Sequence, residues 1–323
     1  MRAGAAVGAV LVVLFPGSAQ CQITTAEARS IRSAIGNRVE ALTILGCDFG
    51  LAGGTYRFTG TNDGAVDVSK FGGDGDVGDP RTLGKLGDLL IAWQPRLQGS
   101  VGYVDATSHL HSGPLSGGTN DVEAFAIQFG AGVRVWLTDR FSLAPSLMGM
   151  YGRTSSEYTA TTALMQANVA LANRMGLIGW SEDTWTLRPA LNLQYQFTWD
   201  RTVYKLSADT TFFHTESFVS SSSEDVVNGN AGSLTDKIDV DVPLGSYLYG
   251  HELHTGGFLS RTELFGDLRD GLDAQHLYEI HGRLVVDVLN RLWKVQWMGI
   301  GGSYLWGTNF SGWTVGADLS FRF

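Results

Sequence analysis

Residues 313–323 read WTVGADLSFRF, and the chain there switches between two kinds of side chain at every step. Trp313, Val315, Ala317, Leu319, Phe321 and Phe323 alternate with Thr314, Gly316, Asp318, Ser320 and Arg322. Successive side chains of a strand point to opposite faces, so this segment forms a strand with one greasy face and one wet face. The same alternation recurs upstream. Leu187, Leu191, Leu193, Tyr195, Phe197 and Trp199 share one parity, while Arg188, Asn192, Gln194, Gln196 and Thr198 share the other. Phe125, Ile127, Phe129, Val133 and Val135 face away from Gln128 and Arg134, and Tyr204, Leu206 and Phe212 face away from Lys205, Asp209 and Thr211.

A soluble β-sandwich also alternates. Three features favour a membrane barrel instead. The periodic runs last about 10–14 residues, as a tilted strand crossing hydrocarbon requires and an ordinary strand of five or six does not. The wet face carries charge in mid-strand, at Arg134, Arg188, Lys205, Asp209, Arg283 and Asp318, which a hydrated lumen allows. Tryptophans 136, 199, 293, 297, 306 and 313 gather at strand ends, where amphipathic rings suit the two membrane–water interfaces. Lipid offers no partner to a backbone amide, so such strands must close on themselves.

The expected fold is therefore all-β: a transmembrane, antiparallel, up-and-down barrel. Strands are expected near 313–323, 295–306, 276–289, 254–265, 234–242, 202–214, 186–199, 140–152, 122–137, 96–106 and 82–93, with a first one inside 40–59. That gives about twelve strands, or fourteen if residues 158–180 supply two more. Short turns fall at Thr138-Asp139, Asp200-Arg201, 290–294 and Gln94-Pro95, with a longer link at 243–253. Loops at 60–81, 107–121, 153–185, 215–233 and 266–275, and a short one at 307–312, would face the other side, as outer-membrane barrels arrange them.

Composition agrees. With 42 glycines, 11% aromatic and only 17% charged residues among 323, the chain lacks the profile of disorder. A net charge of −9 without a basic run excludes a general nucleic-acid binder. Residues 1–19 have the layout of a secretory signal peptide, with Arg2, an apolar stretch, and cleavage expected near Ala19. Gln20 before Cys21 disfavours a lipoprotein signal, and neither Cys21 nor Cys47 is assigned a role. Residues 20–38 are expected to form a short lead, either solvated or with a helix over Thr24–Asn37, and 39–323 the barrel.

Phe323, Phe321, Leu319 and Val315 resemble the C-terminal signal that the barrel assembly machinery reads on its clients. Residues 256–323, beginning GGFLSRTELFGDL and ending GADLSFRF, resemble the solitary, passenger-less outer-membrane autotransporter-like barrels. The resemblance is weaker over 39–255. It implies localisation in the bacterial outer membrane, with lipid and the assembly machinery as partners, and no defined substrate or cofactor.

The remaining chemistry is sparse. His251 and His254 are three apart rather than the four that a helical zinc motif needs. Asp74, Asp76 and Asp79 in GGDGDVGDP offer carboxylates for Ca²⁺ but lack the spaced ligand series of a calcium loop. Gly299, Gly301 and Gly302 precede no helix that would receive a pyrophosphate, and so read as strand bends. His214, near Glu216 and Ser217, is the most enzyme-like grouping. The expectation is a non-enzymatic pore or structural component without metal or cofactor. The alternatives are an outer-rim lipid or peptide hydrolase or acyltransferase using His214, and an adhesin acting through loops 153–185 and 215–233.

Overall fold

A computed structural model describes residues 50–58, 64–86, 89–109, 119–159, 179–221, 228–272, 274–288 and 295–321. The expected signal peptide, the lead and its helix, the two cysteines, residues 160–178 and Phe323 lie outside these.

Thirteen strands form one sheet. They are β1 (Gly50–Phe58), β2 (Gly64–Asp76), β3 (Arg81–Leu86), β4 (Leu89–His109), β5 (Thr119–Trp136), β6 (Phe141–Thr159), β7 (Ser181–Trp199), β8 (Thr202–Ser220), β9 (Asn228–Leu248), β10 (His251–Gly266), β11 (His276–Asp287), β12 (Val295–Gly307) and β13 (Phe310–Phe321), with a short helix α1 (Asp267–Leu272) between β10 and β11. Each strand pairs antiparallel with its neighbours, and β1 pairs with β13 from Gly50 opposite Asp318 to Phe58 opposite Phe310, closing the barrel.

The sheet has twelve staves and one extra strand. β2 pairs with residues 96–108 of β4, and β3 with residues 89–93 of the same strand, so the two are successive parts of one stave. The break falls at residues 77–80, where Gly78 takes a φ of 73°.

The ladder also fixes the tilt. Followed from Asp318 through Gly50, Gly72, Ser100, Gln128, Met150, Thr186 and Thr215, it reaches β9 at Gly229. Followed the other way, through Gly299, Val285 and His254, it reaches β9 at Pro243. That offset is the shear of the barrel, and it requires strands inclined by roughly 35–45° to the axis.

The outer wall is apolar. Phe129, Ile127, Leu147, Leu191, Ile238, Leu259, Ile300 and Val315 are all exposed, while the residues between them are covered. Trp185, Trp199 and Trp313 stand on the same face toward strand ends.

Three sequence expectations are corrected. Residues 64–76, expected in a loop, form β2, because Val66, Val68 and Lys70 alternate inward against exposed neighbours even though glycine and aspartate dominate the rest. Gln94-Pro95 is not a turn but the interior of β4. Pro95 has no N–H to donate, and it sits where the neighbouring stave passes from β2 to β3, so no ladder bond is lost; its carbonyl accepts from Val77 N at 2.7 Å. The long link at 243–253 is mostly strand, with Tyr249-Gly250 alone as the turn. Several strands exceed the expected length, β4 and β9 reaching 21 residues. At about 3.4 Å per residue they project beyond the hydrocarbon.

Candidate functional site

The inner face can be identified by contact geometry. Strands two apart in a sheet are roughly 10 Å apart, so their side chains meet only where the sheet curves inward. Arg283 on β11 donates to both carboxylate oxygens of Asp239 on β9, at 2.7 and 3.1 Å. Arg188 on β7 donates to Gln128 on β5 at 3.2 Å. Arg134 on β5 reaches Asp76 on β2 at 3.0 Å and Gln194 on β7 at 3.0 Å. His281 on β11 lies 3.3 Å from Asp318 on β13. Each pair skips a strand, so all of these residues line the lumen.

The lumen has two zones. Its periplasmic half, the end with the short turns, is polar and charged on two sides. On one side Asp74 and Asp76 of β2 engage Arg96 and Arg134, with Ser142 and Gln194 completing the shell of Arg134. Two of the three carboxylates weighed for Ca²⁺, Asp74 and Asp76, are thus held by two guanidiniums. On the other side Arg283, Asp239, Asp241 and His254 form a chain, with His254 Nδ1 2.8 Å from Asp241. Lys205 stands in the field of Asp239, Asp241, Arg283 and Lys237. Asn192 donates to Asp209 at 2.6 Å. Lys237 caps the ring of Phe258 at 4.4 Å, and His281 stacks on the same ring at 4.8 Å.

The outer half carries an apolar cluster over part of its wall, beside the buried polar residues Asn120, Ser156, Glu182, Thr186 and Thr215 of β5–β8. Tyr56, Val104, Phe213, Leu264, Leu277 and Leu305 belong to one buried cluster drawn from most of the staves. α1 packs into this cluster and contributes Leu268 and Leu272, which are 4% and 1% exposed. The helix is pinned at its start, where Asp267 accepts from the backbone N–H of Asn230 at 2.7 Å. Gly266 precedes it with a φ of 61°, and a Cβ there would strike the carbonyl of Asn230. Seating each leucine contributes about 1.5–3 kcal/mol.

Six residues were singled out by sequence as wet-face candidates. Arg134, Arg188, Arg283 and Asp318 make the cross-strand contacts above, and Lys205 and Asp209 sit among them. Sequence reading missed their partners Asp76, Arg96, Asp239, Asp241 and His281, and the buried helix residues Leu268 and Leu272. Of the assembly-signal residues, Val315 is exposed on the outer wall and Phe321 ends β13.

His214 lies on the outer wall instead. Its Nδ1 is 2.9 Å from Asn230 Oδ1 and its Nε2 3.2 Å from Glu216 Oε1, with Trp185 edge-on at 6.0 Å. Ser217 has the opposite parity and faces the lumen, so this hydroxyl is not brought to the imidazole. Among the described residues, no group of three or more His, Cys, Asp or Glu side chains is placed to hold a metal ion.

Residues 85–316 match the family model described as the solitary outer membrane autotransporter beta-barrel domain. The fold is similar to the transport unit of the autotransporter AIDA-I from Escherichia coli, at 10% identity and a TM-score of 0.50, covering 91% of this chain and 99% of that one. It is also similar to the β domain of the Bordetella autotransporter BrkA, at 13% identity and a TM-score of 0.49 over 84% of this chain and 99% of that one. The translocator domain of NalP from Neisseria meningitidis aligns at 10% identity and a TM-score of 0.45, over 89% and 94% of the two chains. No curated protein matches the sequence.

Proposed function

Because this chain belongs to the solitary outer membrane autotransporter β-barrel family, and so resides in the bacterial outer membrane, we propose that it is a stand-alone, non-enzymatic barrel stoppered at its outer mouth. Its role on this reading is structural or surface-related, without an open channel at rest. The observation that supports this is the buried apolar cluster in the outer half, into which Leu268 and Leu272 of α1 are packed. Water and ions pass poorly through a constriction lined by apolar side chains, since such a constriction dewets. The polar periplasmic half then serves as a hydrated vestibule whose paired charges brace the wall. Lipid surrounds the barrel, and the assembly machinery inserts it by reading the last strand.

Planar-bilayer recording of the folded protein tests this reading. Negligible conductance is expected, and a steady open channel from the native chain would refute the closed state.

A second reading keeps the outer rim as an enzyme site, favoured by the hydrogen bonds of His214 to Glu216 and Asn230. General-base chemistry also needs a nucleophile within hydrogen-bond reach. On this reading the nucleophile would be water or a group from the undescribed loops. A third, adhesive reading rests on the loops at 153–185 and 215–233, whose central residues are outside the described ones.

A further inference from the structure

We propose that the outer wall around Asp236 and Arg261 is a contact surface for a second copy of this chain. The two residues stand directly opposite each other on β9 and β10. Both are exposed, and their parity is that of Ile238 and Leu259, which are 50% and 52% exposed on the lipid-facing wall. Apolar residues lie on both sides of them, although Glu263 and His276 intervene toward the outer side. Ile238 pairs with Leu259 on the periplasmic side, and Phe265 and Phe212, both exposed, lie on the outer side.

Charge in such a place is costly in a lone barrel, to a degree that depends on depth. Arg261 turns toward Glu263, at 3.7 Å, and His276, at 3.3 Å. Asp236 makes no hydrogen bond or ion pair among the described residues. A carboxylate is therefore left facing lipid within about 3 Å in depth of a guanidinium on the next strand.

The patch is self-complementary. A two-fold axis along the membrane normal keeps every residue at its own depth; across tilted strands Arg261 and Asp236 differ in depth by about 3 Å, which an arginine side chain spans, so the axis brings Arg261 of one copy to Asp236 of the other, twice. Beside the patch the wall is flat: Gly257 lies opposite Gly282, which lies opposite Gly302, all three on the lipid-facing parity. Missing side chains there let two backbones approach closely, as small residues do at membrane interfaces. A phosphorylated lipid fits less well, because two carboxylates flank the single arginine.

The test uses the full-length mature protein, with refolding verified by heat-modifiable gel migration, and measures mass by sedimentation in detergent and in nanodiscs. The wild type is expected to dimerise, and Asp236→Arg and Arg261→Asp each to sediment as monomers. Mixing those two variants should restore a dimer, since every contact is then again between opposite charges. A wild type that stays monomeric at all concentrations overturns the proposal, as does a dimer that survives in both variants. A monomer that carries lipopolysaccharide, lost in Arg261→Gln, assigns the patch to lipid instead and equally overturns it.

Discussion

Arg283 grips both oxygens of Asp239 across the intervening strand, with the two side chains 10% and 14% exposed. The pair ties β9 to β11 without passing through β10, so it braces the curvature of the wall rather than a single ladder. Removing one partner leaves a covered charge unmatched, which costs about 1–3 kcal/mol at a partly hydrated site. Asp239→Ala is therefore expected to lower the urea midpoint of the lipid-embedded barrel. The double variant Asp239→Ala/Arg283→Met should recover most of the loss, and an additive double variant would show the two residues to be uncoupled.

On the opposite wall, Asp76 is held by Arg96 and Arg134, and Arg134 also donates to Gln194. Cation sites need carboxylates free of competing guanidiniums. Stability, read as the temperature at which the compact gel form is lost, is accordingly expected to be the same in Ca²⁺ and in chelator. Asp76→Asn should lower it in both. A stabilisation by Ca²⁺ that vanishes in Asp76→Asn would mean that the arginines release the carboxylates in solution.

Much of the wall was legible from the sequence because lipid imposes a rule on every second residue. Leu187, Leu191, Leu193 and Tyr195 have nowhere else to point, and they are exposed as their parity requires. β2 was not legible, because GGDGD carries the turn-forming signature while its inward residues pair with arginines far along the chain. The partners of Arg134 and Arg283 were hidden for a related reason. They lie two strands away, at a height set by the shear of the closed barrel, and that offset is a property of the whole ladder. α1 escaped notice because six residues, DLRDGL, are too few to show a helical period.

His281 and Asp318 approach to 3.3 Å over Gly301, where a Cβ would collide with the Asp318 carboxylate and the His281 ring. Only a hydrogen fits beneath this pair. Gly301→Val is expected to force the two apart and to destabilise the wall from β11 through β12 to β13, whereas Gly282→Val, which opens into free space on the outer wall, should be tolerated. Equal unfolding midpoints for the two variants would show that the glycine is not reserved for the pair.

The His214 alternative makes a separate forecast. If the barrel does no chemistry, His214→Ala leaves lipid A and peptide profiles as they are in the wild type, and these match a deletion strain. Its hydrogen bond to Asn230 is exposed and that to Glu216 only part-buried, so the substitution should also leave the gel mobility of the folded form unchanged. A lipid A species present only with the intact histidine would establish the enzyme reading.

The stopper gives the sharpest forecast, because two different substitutions should have one effect. Leu272 is 1% exposed inside the apolar cluster, and a serine there removes apolar contact and leaves a hydroxyl that attracts water. A truncation of this kind costs about 2–5 kcal/mol of local packing, comparable to what holds a six-residue helix in place. Gly266→Val acts from the hinge, since its left-handed backbone and the nearby Asn230 carbonyl leave no room for a side chain. Both variants should release α1 while the twelve staves stay closed, so heat-modifiable migration persists and single-channel conductance appears. Val315→Ser, on the outer wall of the same barrel, should produce none. If Leu272→Ser and Gly266→Val conduct no better than the wild type, the seal lies elsewhere in the lumen and α1 is only its lining.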